Sequence, residues 1–323
     1  MRLLIGGAVL LAALVVGFNA YITDRVNQPV AVTTLDVPPG TPAHQVLKLL
    51  APSLSNIERA LIFRLHPTWT QLQAGRYAFV SDFTVEDALQ AIHAGDAVRS
   101  RLTVPEGIRT NELLSRITQA ADLDGPTPEG QALQQLLSPE YAHPEGAFLA
   151  ETYVWKQRMD RSELLGLAHQ ALKEAVDSAW NARSEPVAEV LQTPYELLIL
   201  ASIVEKETAI SAERPRIAGV FIERLRRGMR LQTDPTVIYG LGDNFDGNLT
   251  RQHLRQKTPY NTYRINGLPP TPIALVGPDA LRAVSQPEIT GELYFVADGQ
   301  GAHVFSYTLQ EHNANVRKYQ LKR

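Results

Sequence analysis

Two carboxylates separated by one residue close a strongly apolar run. Leu197-Leu198-Ile199-Leu200-Ala201-Ser202-Ile203-Val204 leads into Glu205-Lys206-Glu207-Thr208. At about 100° per residue, Leu200, Ile203, Val204 and Glu207 fall within an arc of roughly 100°, whereas Glu205 lands roughly 140° from Leu200. Glu207 thus extends the apolar stripe, and Glu205 is expected to face water. Apolar surroundings disfavour an ionised carboxylate and raise its pKa, which suits a general acid at neutral pH. Pairing of Glu207 with nearby Arg214 or Arg216 is the structural alternative.

A second block, Arg230-Leu231-Gln232-Thr233-Asp234-Pro235-Thr236-Val237-Ile238-Tyr239-Gly240, holds Gln, Thr, Asp and Tyr in close order. Sugar recognition wants directional donors and acceptors plus an aromatic face, and this block offers both. It also reads as a turn followed by a helix cap. A third block, Thr258-Pro259-Tyr260-Asn261-Thr262-Tyr263, adds two tyrosines and an asparagine ahead of the proline-rich Gly267-Leu268-Pro269-Pro270. The eight histidines show no metal-ligand spacing, and there is no nucleophile elbow, P-loop or dinucleotide fingerprint. With no cysteine in the chain, thiol catalysis and cysteine-ligated zinc are excluded as well. No metal or other cofactor is expected.

The elements that must position these groups are legible from caps and periodicity. Thr193, Pro194 and Glu196 mark a helix start for the glutamate helix. A second helix, about Pro215 to Arg227, is expected to end at Gly228. Leu293 to Ala297 and His303 to Ser306 flank a glycine-rich loop and predict a β-hairpin. Upstream, the apolar spacing predicts a helix from Ser162 to Trp180. Residues 122–141 read as a loop and residues 181–190 as a linker. Nearer the N-terminus, Leu35-Asp36-Val37-Pro38-Pro39-Gly40 is echoed by Leu102-Thr103-Val104-Pro105-Glu106-Gly107, each a strand, a turn and then a helix (43–50 and 110–120). A helix over 56–65, an extended piece over 75–80 and a helix over 84–94 stopped by Gly95 follow the first copy. Such units resemble LysM-like glycan-binding modules, with a ligand-free spacer as the alternative.

The chain has 323 residues, 44% hydrophobic and 20% charged, which fits several globular domains rather than disorder. Its net charge of −3, without a basic run, argues against a nucleic-acid partner. From Leu3 to Thr23 the sequence is uncharged and apolar, about the length that spans a bilayer core. Phe18-Asn19-Ala20 lacks the small-residue pattern of a cleavage site, so an uncleaved anchor is expected. The charge of Arg2 favours a cytoplasmic tip, with the rest of the chain outside. A chain lacking this anchor is expected to fold, because a membrane span packs against lipid.

Ala201 to Thr208, Arg230 to Gly240, Tyr260-Asn261-Thr262-Tyr263, Gly267 to Pro270, and Leu293-Tyr294-Phe295-Val296-Ala297-Asp298-Gly299 stand in an order that resembles the YceG-like family of endolytic murein transglycosylases. One departure is the stretch 145–153, where Ala150-Glu151 replaces a Pro-Asp pair. The resemblance implies an α+β chain: an anchor (1–23), a LysM-like module (32–96), a second LysM-like or connecting region (97–190) and a catalytic domain (191–323). It implies a bacterial single-pass inner-membrane protein that cuts peptidoglycan glycan strands from the periplasmic side, beside wall synthases. Glu207 aligns with the family's catalytic glutamate. Gln232, Thr233, Asp234, Tyr239, Tyr260, Asn261 and Tyr263 are the candidate saccharide contacts. A hydrolytic muramidase, with Asp234 as its second carboxylate, and a non-catalytic wall-binding scaffold are the rival readings.

Overall fold

The computed structural model describes residues 2–320, with side chains from residue 13 onward. It is a mixed α+β chain in two compact units, one comprising Met1–Arg101 with Val154–Met159, the other Leu102–Tyr153 with Asp160–Arg323.

In the first unit, strands Thr34–Val37 and Gly75–Ala78 pair antiparallel, with Thr34 opposite Ala78 and Val37 opposite Gly75. Leu35 and Val37 point inward while Thr34 and Asp36 stay exposed, the period-two alternation of a half-buried strand. Helices Ala43–Leu50 and Asn56–Leu65 lie between the strands in sequence, and Val85–Ala94 follows them. Ser55 with Glu58 and Thr84 with Asp87 form capping boxes, and Gly95, at φ 74°, ends the last helix in the left-handed region. Leu47, Leu50, Ile62, Tyr77, Leu89 and Ile92 form the centre of the core.

The N-terminal helix runs from Arg2 to Val26. Among the described residues, no helix is long and apolar enough to cross a membrane. Residues 3–12 of the expected anchor lie outside the described side chains. Its last turn corrects the expectation that the segment adds nothing to a soluble core. Ile22 and Val26, one helical turn apart on one face, are each 2% exposed within the core of this unit. Beside them Tyr21 Oη and Arg25 Nε donate to Glu58 Oε1 at 2.6 and 2.9 Å.

The second unit is organised around the glutamate helix, Pro194–Glu207, which packs against helices Arg161–Asn181, Arg214–Arg226, Asp234–Leu241 and Pro278–Ser285. Two stretches read as irregular contain short helices, Gly130–Gln134 and Glu185–Val190. The second starts with proline in its first turn and is anchored by fully buried Val187, a tertiary contact that composition does not reveal. Strands Tyr294–Ala297 and His303–Ser306 form the expected hairpin, with Tyr294 opposite Ser306 and Ala297 opposite His303. Helix Leu309–Tyr319 follows, started by a capping box of Thr308 and Glu311. The echoed turns share a backbone state, since Gly40 and Gly107 lie at φ 78° and 75°.

Candidate active site

The glutamate helix is hydrophobic on every side, so it is buried on every side: Leu197 through Glu205 are all buried. This overturns the expectation that Glu205 faces water. Glu205 Oε1 accepts from Arg214 Nη2 at 2.6 Å, and Oε2 accepts from the Gly277 amide at 3.1 Å. Arg214 also reaches Glu106 Oε2 at 2.9 Å. A Cβ at Gly277 would overlap the Glu106 carboxylate, which would have to shift to admit it. Burial pushes Glu205 up to about 7, against the pull of the Gly277 amide and the Arg214 charge. The ion pair considered for Glu207 therefore belongs to Glu205, while Arg216 pairs with Glu292, Nε to Oε2 at 2.8 Å.

Glu207, at the end of the helix, is half-buried and lines a cleft of about 420 Å³. Its Oε2 accepts from the Thr233 hydroxyl at 2.6 Å. Burial raises its pKa, and Asp234 adds to the rise. The Thr233 hydroxyl, His303 and Arg224 pull in the other direction. Thr233 is the N-cap residue of helix Asp234–Leu241, yet its side chain makes no capping bond. The hydroxyl is diverted to Glu207, and Pro235 in the first turn leaves the helix one fewer amide to satisfy. Thr262 Oγ1 accepts from the Thr233 amide at 3.1 Å, and Thr236 Oγ1 donates to the Thr233 carbonyl at 2.8 Å. A buried threonine network thus holds the hydroxyl that donates to Glu207.

Gln232, Asp234 and Tyr263 also line the cleft. Gln232 sits at φ 51°, a left-handed conformation costing roughly 1 kcal/mol for a residue with a Cβ, and its amide donates to the Thr262 carbonyl at 3.2 Å. Tyr263 Oη donates to Asp234 Oδ1 at 2.7 Å, and burial together with that carboxylate raises the phenol pKa, keeping it a donor.

The remaining candidates, Tyr239, Tyr260 and Asn261, do not line this cleft. Tyr239 and Tyr260 meet edge to face at 4.8 Å and do not line the cleft. Their hydroxyls are engaged, Tyr239 to Glu145 Oε2 at 3.3 Å and Tyr260 with Thr271 Oγ1 at 2.9 Å. Asn261 is completely buried. Its amide nitrogen donates to the carbonyls of His253, Leu254 and Gln256, closing the end of helix Arg251–Arg255, and its Oδ1 accepts from the Tyr263 amide at 3.0 Å.

The opposite wall comes from residues that spacing did not single out. Arg224, Tyr294, His303 and His312 line the same cleft. His303 is clamped by Glu213, which accepts from its amide at 2.9 Å and lies 2.7 Å from its Nδ1. Tyr294 stacks on His312 at 5.2 Å between ring centres. The hairpin was legible, but nothing local in it shows that it lines the cleft with Glu207. Among the described residues, no group of three or more His, Asp or Glu could hold a metal ion.

The sequence profile of the YceG-like family matches residues 35–318. The chain is 45% identical over 125 residues to the endolytic murein transglycosylase of Bacillus subtilis (strain 168), covering 39% of this chain and 34% of that protein. It is 26% identical to the endolytic murein transglycosylase of Streptococcus pneumoniae, covering 88% of this chain and 58% of that one. The chain therefore spans about a third and 58% of these relatives' lengths. A crystal structure of a YceG-like protein from Listeria monocytogenes superposes with a TM-score of 0.57 at 28% identity, covering 87% of this chain and 97% of that one.

Proposed function

The chain belongs to the YceG-like family, and from that premise we propose that it is an endolytic murein transglycosylase, a lyase with Glu207 as its acid and base. It cuts the β-1,4 bond between N-acetylmuramic acid and N-acetylglucosamine within peptidoglycan strands. The Glu207 proton passes to the leaving oxygen as the C1–O bond breaks. The C6 hydroxyl of the same muramyl residue then closes on C1 and returns its proton to Glu207. Atoms balance without water, so the product carries a 1,6-anhydro end and one carboxylate serves both steps.

The observation that carries this reading is the carboxylic acid at the cleft wall, with its pKa raised by burial and its Oε2 fixed by Thr233. A general acid is favoured by a raised pKa and by an orientation set before substrate arrives; burial supplies the first and the Thr233 hydroxyl the second. Gln232, Asp234 and Tyr263 then serve as saccharide contacts, and Thr233 as the residue that positions the acid. The test is mass spectrometry of products from uncrosslinked strands. The wild-type chain should release anhydro-ended fragments, and Glu207→Gln should lower the rate by at least ~10²-fold with an unchanged melting temperature. A reducing product end would replace this reading with a hydrolytic muramidase.

The enzyme is placed at the inner membrane, with its two units on the periplasmic side beside the wall synthases, where its cuts set strand length. Support for a membrane tether comes from Leu14, Val15, Val16 and Phe18, which are 40–67% exposed on the N-terminal helix. The first unit, with its strand–helix–helix–strand order, is proposed as a glycan-binding module. A chain without it should lose affinity for strands, and equal affinity would make it a spacer.

A further inference from the structure

The wall facing Glu207 contains a cation without a counter-ion. Arg224 is 7% exposed and lines the cleft, and no carboxylate lies within ion-pair distance of it among the described residues. Its Nε donates to the Leu293 carbonyl at 2.7 Å, and its Nη1 to the carbonyls of Leu231 at 2.6 Å and Arg230 at 3.4 Å. These bonds tie its helix to the hairpin and to the strand-like approach to Thr233. Nη2 makes no hydrogen bond among the described residues, yet it is absent from the buried polar atoms that lack both a partner and contact with solvent. It therefore keeps some contact with solvent, on a residue that lines the cleft. The Tyr294 ring, 5.1 Å from the guanidinium carbon, covers one face of the group.

A buried guanidinium is costly to keep dry and unpaired, and carbonyl oxygens offset only part of that cost. With Nε and Nη1 committed to carbonyls, the remaining Nη2 is matched by a single anionic oxygen. We propose that Arg224 binds a carboxylate of the glycan strand, one borne on the muramyl substituent. This deepens the peptidoglycan reading above and rests on it. Two sources share that chemistry: the lactyl carboxylate of a peptide-free muramyl residue, and a free carboxylate of a stem peptide. N-acetylglucosamine carries neither, so Arg224 makes the cleft distinguish the two sugars of the repeat. The neighbouring carboxylates leave room for this role. Thr233 holds Glu207, whose raised pKa favours its neutral form, and Asp234 is engaged by Tyr263.

The experiment uses the full chain with four strand preparations of matched length. These carry stem peptides with free carboxylates, the same peptides amidated, no peptides so that the lactyl carboxylate is bare, or only N-acetylglucosamine. Dissociation constants are measured with Glu207→Gln to prevent turnover, and kcat/KM with the wild type. At least one carboxylate-bearing strand should bind about tenfold or more tightly than the amidated strand, the scale of one charge-assisted hydrogen bond. Whichever carboxylate gives the preference identifies the source. Arg224→Gln should erase the preference, and Arg224→Lys should keep part of it. Equal binding of carboxylate and amide strands by the protein with Arg224 intact overturns the proposal, even if the Arg224 variants do not fold. So does an Arg224→Gln variant that weakens every strand alike, since Arg224 would then only brace the wall or balance Glu207. Failure to bind or cut any muramyl strand overturns the peptidoglycan reading itself, and this proposal with it.

Discussion

At the scale of single residues, Thr233 has the most specific consequence. Its hydroxyl donates to Glu207 and so favours the ionised carboxylate, opposing the larger effect of burial. The acid works while protonated, so activity is lost as pH rises through its raised pKa. Thr233→Val removes the donor at nearly constant volume and should raise that pKa further. The alkaline limb of kcat/KM should move upward by about 1–2 pH units, the equivalent of one hydrogen bond to a charged group. A purely structural role would lower activity without moving the limb, and a pH–rate profile separates the two. The companion glutamate makes the opposite prediction. Glu205 touches Arg214 and Gly277 and lines no part of the cleft. Glu205→Leu leaves Arg214 with only the more exposed Glu106, so it should cost of the order of 3 kcal/mol in stability, read from denaturant midpoints. The surviving folded fraction should keep activity far above that of Glu207→Gln.

Between residue and element, legibility follows the range of the interaction. Thr193, whose side chain accepts from the Glu196 amide, and the stops at Gly95 and Gly228 were readable because a cap lies within a few residues of what it satisfies. Glu207 was readable too, because it terminates an apolar run. The placement of Glu205 was not. A wheel divides a helix into wet and dry faces, but Leu197 to Val204 has no wet face, and such a helix is enclosed by its unit. The same run that pointed to Glu207 already argued against exposing Glu205. Arg224 and His303 join the cleft through partners 69 and 90 positions away, and no spacing rule spans that distance. Asn261 shows a related limit: polar residues near a site serve backbone as often as ligand. Asn261→Ala should remove the side-chain donor to three carbonyls at the end of helix Arg251–Arg255 and cost about 1–3 kcal/mol. Its melting temperature should fall, and saccharide affinity per folded molecule should change little.

On the scale of the whole chain, one helix is assigned two tasks, and its side chains divide between them. Leu14, Val15, Val16 and Phe18 project outward, whereas Ile22 and Val26 fill the core of the first unit. Membrane retention and stability should therefore respond to different substitutions. Replacing Leu14, Val15 and Val16 with serine should release the chain from membranes and leave the melting of the first unit unchanged, because those side chains bury nothing in it. Ile22→Ala should do the reverse. It opens a cavity in a packed core and should destabilise the unit by about 2–4 kcal/mol while the protein stays in the membrane fraction. A chain beginning at Asp24 loses Ile22 together with the Tyr21 bond to Glu58, so it should melt lower than one beginning at Tyr21. Fractionation after a salt wash measures the first property, and calorimetry of matched detergent-free fragments the second. If the chains starting at Tyr21 and Asp24 melt together, the last turn of the helix contributes nothing to the unit, and its burial there is incidental to folding.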